Sequence, residues 1–259
     1  MPGRVSTSIN EIAVTGAAFV GGPAGRPSCH ARVRARLAIA LPMSRICLIH
    51  AVKVAIAPVE AAFARLWPQA SLMNLLDDSL SLDRQRDGEL TSAMMERFRV
   101  LGAYAVETGA DGILFTCSAF GPAIEAVAHR LPVPVLKPNE AMFAEAFAAG
   151  ARLGLLASFE PSIAPMSEEF AAMARARSSN ATLVTACAPE AMAALNRGDG
   201  EAHDHLLAEA AGALAQCDAI MLAQFSTARA RTAVEAATGA RVLTSPDAAV
   251  RAMRAALDA

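Results

Sequence analysis

The chain has 259 residues, a formal net charge of −2, 54% hydrophobic residues and 5% aromatics, enough for one large or two small domains with real cores. The near-neutral balance, with no Lys/Arg run inside the folded part, excludes a polyanion-binding surface, so no nucleic-acid partner is expected. No apolar run reaches the ~18 residues of a membrane span, and five cysteines without close pairing read as a reduced, cytoplasmic set.

Residues 1–42 differ from the rest. Arg4, Arg26, Arg32, Arg34 and Arg36 stand against one acid, Glu11, and GGPAGRP interrupts any periodicity. Arg-rich, acid-poor stretches are typical of transit peptides. The stronger expectation is a disordered or non-native tail, because MSRICLIHA opens directly into a strand at Met43.

From there, short apolar runs alternate with Ala-rich segments of helical period. RICLIHA, SLMNLLD, DGILFTC and VPVLKP form a first series; RLGLLAS, ATLVTAC, DAIMLAQ and ARVLTSP form a second. The intervening LTSAMMERFRVLGAYAVETG is a helix that ends at Gly109. Each series predicts strand, helix, strand, helix, strand, helix, strand, with parallel sheets covered on both faces.

The two series are copies. At one gapless offset of 107, RICLIHA from Arg45 lies on RLGLLAS from Arg152, and IAPVEAAFA from Ile56 on IAPMSEEFA from Ile163. At the same offset DGILFTC from Asp111 lies on DAIMLAQ from Asp218, and Val135-Leu136 on Val242-Leu243. The predicted fold is α/β: two duplicated, doubly wound lobes with parallel four-stranded sheets, related by a pseudo-twofold axis, with a cleft between them. The first lobe is expected over 43–140 and the second over 141–245, with the C-terminal helix 246–259 packing back on the first.

Strand tips carry the candidate chemistry, because open α/β sheets bind ligands there. In the first lobe these are His50, Asp77-Asp78, Thr116-Cys117-Ser118 and Lys137; in the second, Ser158, Glu160, Gln224 and Ser226-Thr227. Cys117 precedes a helix predicted to begin near Gly121-Pro122, whose amino end would stabilise a thiolate. His50 is a candidate second acid/base, with Asp77 or Asp78 to orient it; capping by Ser79 is the alternative for the acids. Asn139 in KPNEAMF is either at the lobe junction or a helix cap. Cys47, Cys187 and Cys217 read as packing residues, Trp67 as a packing anchor, and His203-Asp204-His205 as a solvated surface. No metal-ligand spacing and no nucleotide-binding glycine motif occurs, so neither metal nor organic cofactor is expected.

At TCSAFG and DAIMLAQFSTARA the chain resembles the aspartate/glutamate/hydantoin racemase superfamily, which includes maleate isomerases and arylmalonate decarboxylases. The resemblance covers about residues 45–259. It implies a cofactor-independent enzyme whose two thiols flank the α-carbon of a small carboxylic acid, one removing a proton and the other supplying one. The first cysteine carries over onto Cys117, with Ser118 and Ala119 as carboxylate-binding backbone donors and Ser226 and Thr227 as the matching turn of the second lobe. Where the second cysteine belongs, this chain has Gln224, and an amide does not exchange protons near neutral pH.

The expected function is therefore that of a racemase- or isomerase-class enzyme with one thiol, acting beside a carboxylate of an amino acid or small dicarboxylic acid. Cys117, His50 and Gln224 are the catalytic candidates. Thr116, Ser118, Ala119, Asp77, Ser158, Ser226 and Thr227 are the substrate-binding ones. Covalent attack by Cys117 on an alkene or carbonyl carbon, with Gln224 as hydrogen-bond donor, is a variant. The alternatives are a one-thiol decarboxylase and a carboxylate-binding sensor without turnover. A homodimer is in keeping with the resemblance.

Overall fold

The computed structural model describes residues 43–259; the expected tail, 1–42, and Cys29 within it lie outside the described residues. The first lobe contains β1 (Arg45–His50), α1 (Ile56–Leu66), β2 (Ser71–Leu76), α2 (Ser79–Asp87), α3 (Ser92–Glu107), β3 (Gly112–Phe115), α4 (Gly121–Ala128) and β4 (Val135–Leu136). Then come α5 (Glu140–Ala149), β5 (Arg152–Ala157), α6 (Ile163–Ala176), β6 (Thr182–Cys187), α7 (Pro189–Asn196), α8 (Gly200–Ala211), β7 (Ala219–Leu222), α9 (Arg231–Thr238), β8 (Arg241–Thr244) and α10 (Ser245–Asp258).

Both sheets are parallel and four-stranded, in the matching orders β2-β1-β3-β4 and β6-β5-β7-β8. The duplication read from the sequence is thus a duplication of topology. The repeated aspartates explain part of it. Asp111 accepts the Arg45 backbone N–H at 2.8 Å, and Asp218 accepts those of Ala151 and Arg152 at 2.8 Å. Each ties the start of its lobe's first strand to the start of its third.

One helix was expected between the second and third strands of each lobe, and two are present. In the first lobe the break is Gly88, whose φ of +71° is a left-handed conformation that glycine adopts without steric cost. Strongly polar α2 buries only Leu80, so its apolar signal is nearly absent.

The two faces of β1 feed different cores, as period-two side-chain alternation requires. Cys47 and Ile49 pack with Phe98, Phe115 and Phe120, whereas Ile46 and Leu48 pack with Phe63, Trp67 and the α10 residues Ala249, Val250 and Met253. The second lobe mirrors this: Leu153 and Leu155 pack with Met142, Phe143 and Ala146 of α5. The helix that follows each sheet therefore covers the other sheet. α5 and α10 also touch, through Arg251, which donates to both oxygens of Glu145 at 2.8 and 2.7 Å.

A second tie crosses the lobes at Lys137, after β4. Its ammonium lies 2.8 Å from Glu125, 3.5 Å from Glu140 and 3.6 Å from Glu169 on α6. Burial lifts Glu169 above the ordinary carboxylate range, against the attraction of Lys137. The fold thus favours protonated Glu169. Its contribution is full below the ordinary glutamate pKa of ~4.3 and is lost as pH rises through the raised value. Glu169→Gln should melt with the wild type near pH 4 and increasingly above it toward neutrality. A lower melting temperature for the variant at pH 7 would show that pairing with Lys137 outweighs burial.

Candidate active site

The strand tips of both lobes converge on a cavity of about 300 Å³. Thr116, Cys117 and Ser118 enter from the end of β3, and Ala223, Gln224, Phe225 and Ser226 from the end of β7. Pro138 and Asn139 come from the junction between β4 and α5, and Met192 and Asn196 from α7. Cys117 and Gln224 thus meet one cavity from opposite lobes.

Cys117 is extended, with φ −127° and ψ 121°, and ends the strand direction before a short 3-10 turn over Ser118–Phe120. That turn separates it from the first residue of α4, Gly121. The sequence placed the thiol under the helix amino end and predicted a stabilised thiolate. The structure gives the opposite net effect: burial pushes the Cys117 thiol up, and only the Ala119 N–H opposes it. Ala119 acts on the thiol through its backbone and does not line the cavity.

His50 is fully buried behind this wall rather than on it. Nδ1 lies 2.9 Å from Thr116 Oγ1, and Nε2 lies 2.9 Å from Asn74 Oδ1. An amide oxygen only accepts, so Nε2 carries the proton and Nδ1 accepts from the threonine hydroxyl. The chain continues, because Asn74 Nδ2 donates to Glu60 at 2.7 Å. Burial holds the imidazole below its usual range, outweighing the hydrogen bond to Asn74 and the Glu60 charge. His50 is therefore neutral near pH 7, and it reaches the cavity through Thr116.

Gln224 is held by its own lobe. Its Oε1 accepts from Ser158 N–H at 2.9 Å and from Ser158 Oγ at 3.2 Å, and its Nε2 donates to Ser162 at 2.6 Å. Thr227 closes the turn beneath it, donating to the Gln224 carbonyl at 2.7 Å. Ser158 and Thr227, expected at the substrate, are buried and lie outside the cavity wall; they position Gln224. Ser226 does line the cavity.

Asp77 is also displaced from its expected place. It is ion-paired with Arg97 and accepts from Ser79 at 2.6 Å. Burial works against its ionisation, but the Ser79 and Arg97 hydrogen bonds hold it below the ordinary carboxylate range. Neither Asp77 nor Asp78, which faces Lys53 at 3.0 Å, orients His50. The reason is tertiary: α3 brings Arg97 over the end of β2, a partner that local spacing does not reveal. His203 departs as well, being fully buried beside Asp204, while His205 stays exposed.

The missed contributors include Val52, Val54, Ala55, Met192 and Asn196. Their only signal was position after a strand or on an amphipathic helix. Among the described residues no group of His, Cys, Asp and Glu is arranged to hold a metal ion, and no helix is long and apolar enough to cross a membrane.

The model of the family described as Asp/Glu/Hydantoin racemase matches residues 57–253. The chain belongs to this family. Its fold is shared with glutamate racemase from Thermus thermophilus (TM-score 0.60, 20% identity, 84% of this chain and 81% of that one). It is likewise similar to Picrophilus torridus aspartate racemase (TM-score 0.64, 13% identity, 83% and 94% covered). A third is allantoin racemase from Klebsiella pneumoniae (TM-score 0.61, 17% identity, 82% and 86% covered). By sequence, no curated protein matches the chain. At these identities the structural likeness speaks for the two-lobed fold, and the family match supports an isomerase of the racemase type.

Cys117 and Cys47 are a matched test of burial against position. Cys47 is fully buried in mid-strand, and burial pushes its thiol up to about 12. Iodoacetamide should label Cys117 with a rate that rises through a midpoint above the ~8.5 of a free thiol. Cys47 should stay unlabelled until the protein unfolds. Peptide mapping after quenched labelling checks both, and a Cys117 midpoint below pH 8 would contradict the dominance of burial.

Proposed function

We propose that the protein is a cofactor-independent isomerase acting at the carbon next to a carboxylate of an amino acid or small dicarboxylic acid, with Cys117 as its single active-site thiol. One observation carries this reading: among the described residues Cys117 is the sole ionisable side chain on the cavity wall, and Gln224 faces it from the second lobe. Racemisation by two bases needs a proton-transfer group on each side of the carbon, and the Gln224 amide is not one. Proton transfer in the native site is thus one-sided.

A one-sided thiolate suits covalent isomerisation. Its sulfur adds to an alkene carbon of an unsaturated acid, and the electron pair of the double bond moves toward the carboxylate. Rotation about the resulting single bond follows; the C–S bond then breaks, reforming the alkene in the other geometry and freeing the thiolate. Thr116, Ser118 and Ser226 supply neutral hydrogen-bonding groups to the same cavity. His50 is a positioning residue, holding the Thr116 hydroxyl. The raised Cys117 thiol implies a rate that climbs with pH above neutrality.

Incubation in heavy water with amino acids, saturated dicarboxylates and an unsaturated one such as maleate tests the proposal. Deuterium at an α-carbon, or interconversion of alkene geometry, is the expected result. Cys117→Ala should lower the rate by ~10²–10⁴-fold, the worth of a positioned acid/base or nucleophile, while Cys47→Ala keeps it. Saturable binding without exchange or isomerisation of any compound would instead support a carboxylate-binding protein.

Gln224→Cys places a second thiol opposite the first. It should raise racemisation of amino acids from a low baseline, measured by chiral chromatography. It should also lower stability by about 1–3 kcal/mol, because the Ser158 and Ser162 groups lose their partner. An unchanged melting temperature would mean that those bonds contribute little.

A further inference from the structure

We infer that Asn139 is a ligand-binding residue of this cavity, its side-chain Nδ2 donating a hydrogen bond to an sp² oxygen of the bound molecule. The inference rests on the cavity being the ligand site, as proposed above. Asn139 stands at the cap position of α5, where asparagine ordinarily accepts a hydrogen bond from a backbone N–H of the first helical turn. It makes no such bond here. Its Oδ1 instead accepts from Ser245 Oγ at 2.9 Å, across the lobe junction.

That bond also fixes which way the amide points. The Ser245 hydroxyl has two acceptors within reach, Asn139 Oδ1 and the Met142 sulfur at 3.5 Å, and an amide oxygen is much the stronger. With Oδ1 turned to Ser245, Nδ2 is the end of the amide left unpartnered. The residue is 1% exposed, Nδ2 has no acceptor among the described residues, and Asn139 lines the same cavity as Cys117 and Gln224. Buried donors without acceptors are rare in folded proteins because leaving them unpaired is costly. A donor held in place by a buried hydroxyl, on a residue that lines a cavity, is matched by an oxygen that arrives with the ligand.

Among the described residues no side chain of opposite charge competes for that oxygen, since no Lys, Arg or His of theirs lies on the cavity wall. A carboxylate or carbonyl oxygen would be met by neutral donors, of which Asn139 Nδ2 is, among the described residues, the one that is buried and unpartnered. Asn139 sits between the two lobes, so an oxygen bound there leaves the adjoining carbon in the space shared by Cys117 and Gln224.

The test measures occupancy rather than turnover, so it stands apart from the enzymatic reading. Alkylation of Cys117 by iodoacetamide is followed in the presence of rising succinate, a carboxylate probe, or hydantoin, an amide-carbonyl probe. At least one should protect the wild type saturably. Asn139→Ala should raise the half-protecting concentration about tenfold or more, with little change in melting temperature. Asn139→Asp keeps the size and the Ser245 bond but lacks the donor, and it discriminates between the two oxygen sources. If a carboxylate binds, Asp should weaken succinate protection more than Ala does. If an amide carbonyl binds, Asp should weaken hydantoin protection less than Ala, because the ring N–H groups pair with a carboxylate. Equal protection in wild type and both variants would overturn the inference, as would failure of both probes to protect the wild type. Protection that depends on Asn139, in a protein that exchanges no deuterium, would sustain it while removing the isomerase reading.

Discussion

The arrangement on which the rest depends is the exchange of α5 and α10 between the lobes. Each helix follows the last strand of one sheet and buries its apolar stripe on the other, α5 against Leu153 and Leu155, α10 against Ile46 and Leu48. Burial of apolar surface drives this, at about 25 cal/mol per Å² removed from water, and the Arg251–Glu145 pair adds direction where the two helices meet. Neither sheet is fully covered without the other lobe's helix. The lobes are therefore held as a pair, and the tips of two parallel sheets face each other across a fixed gap. The cavity is a consequence of that exchange.

Because the two halves are copies, the chemical difference between them stands out. Position 117 carries a thiol and position 224 an amide, and their surroundings have diverged to suit. The amide has both ends engaged, Oε1 with Ser158 and Nε2 with Ser162, so it is a rigid part of the wall. The thiol has one backbone donor, from Ala119, and packs against the first lobe's apolar core, where burial disfavours its charge. Low dielectric around a thiol keeps it protonated at rest but strengthens each hydrogen bond made once a ligand is present. A site of this kind has one reactive side and one fixed side.

The fold was legible in the sequence because it depends on features of period and repetition. Buried parallel strands read as continuous apolar runs, and the single 107-residue offset from Arg45 to Arg152 required no tertiary information. The strand-tip position of Cys117 followed from the same pattern. What was not legible depends on partners distant in sequence. Asp77 is taken by Arg97, His50 by Asn74 and Thr116, and Ser158 and Thr227 by Gln224. Each residue type was polar and at a strand tip, as a ligand-binding group would be, and only the fold decided which were already satisfied. The direction of the Cys117 shift was missed because a helix amino end is visible in sequence, whereas the apolar enclosure is not.

Satisfaction of hydrogen bonds therefore sorts the candidates better than position does. Polar side chains already bonded to protein at both ends, such as Gln224 and Asp77, have exchanged much of their water for protein and gain less by meeting a ligand. Asn139 and Cys117 differ. The amide nitrogen of Asn139 has no acceptor, and the Cys117 thiol has a single donor to support its charge. Both lie on one cavity wall, one at the lobe junction and one at the tip of β3. An incoming carboxylic acid or amide offers what each lacks: an oxygen for the nitrogen, and a reacting carbon for the sulfur. On the proposed reading, the two unmet groups put the chemistry on the first lobe's side of the cleft, and the second lobe supplies the fixed wall against which a ligand is held.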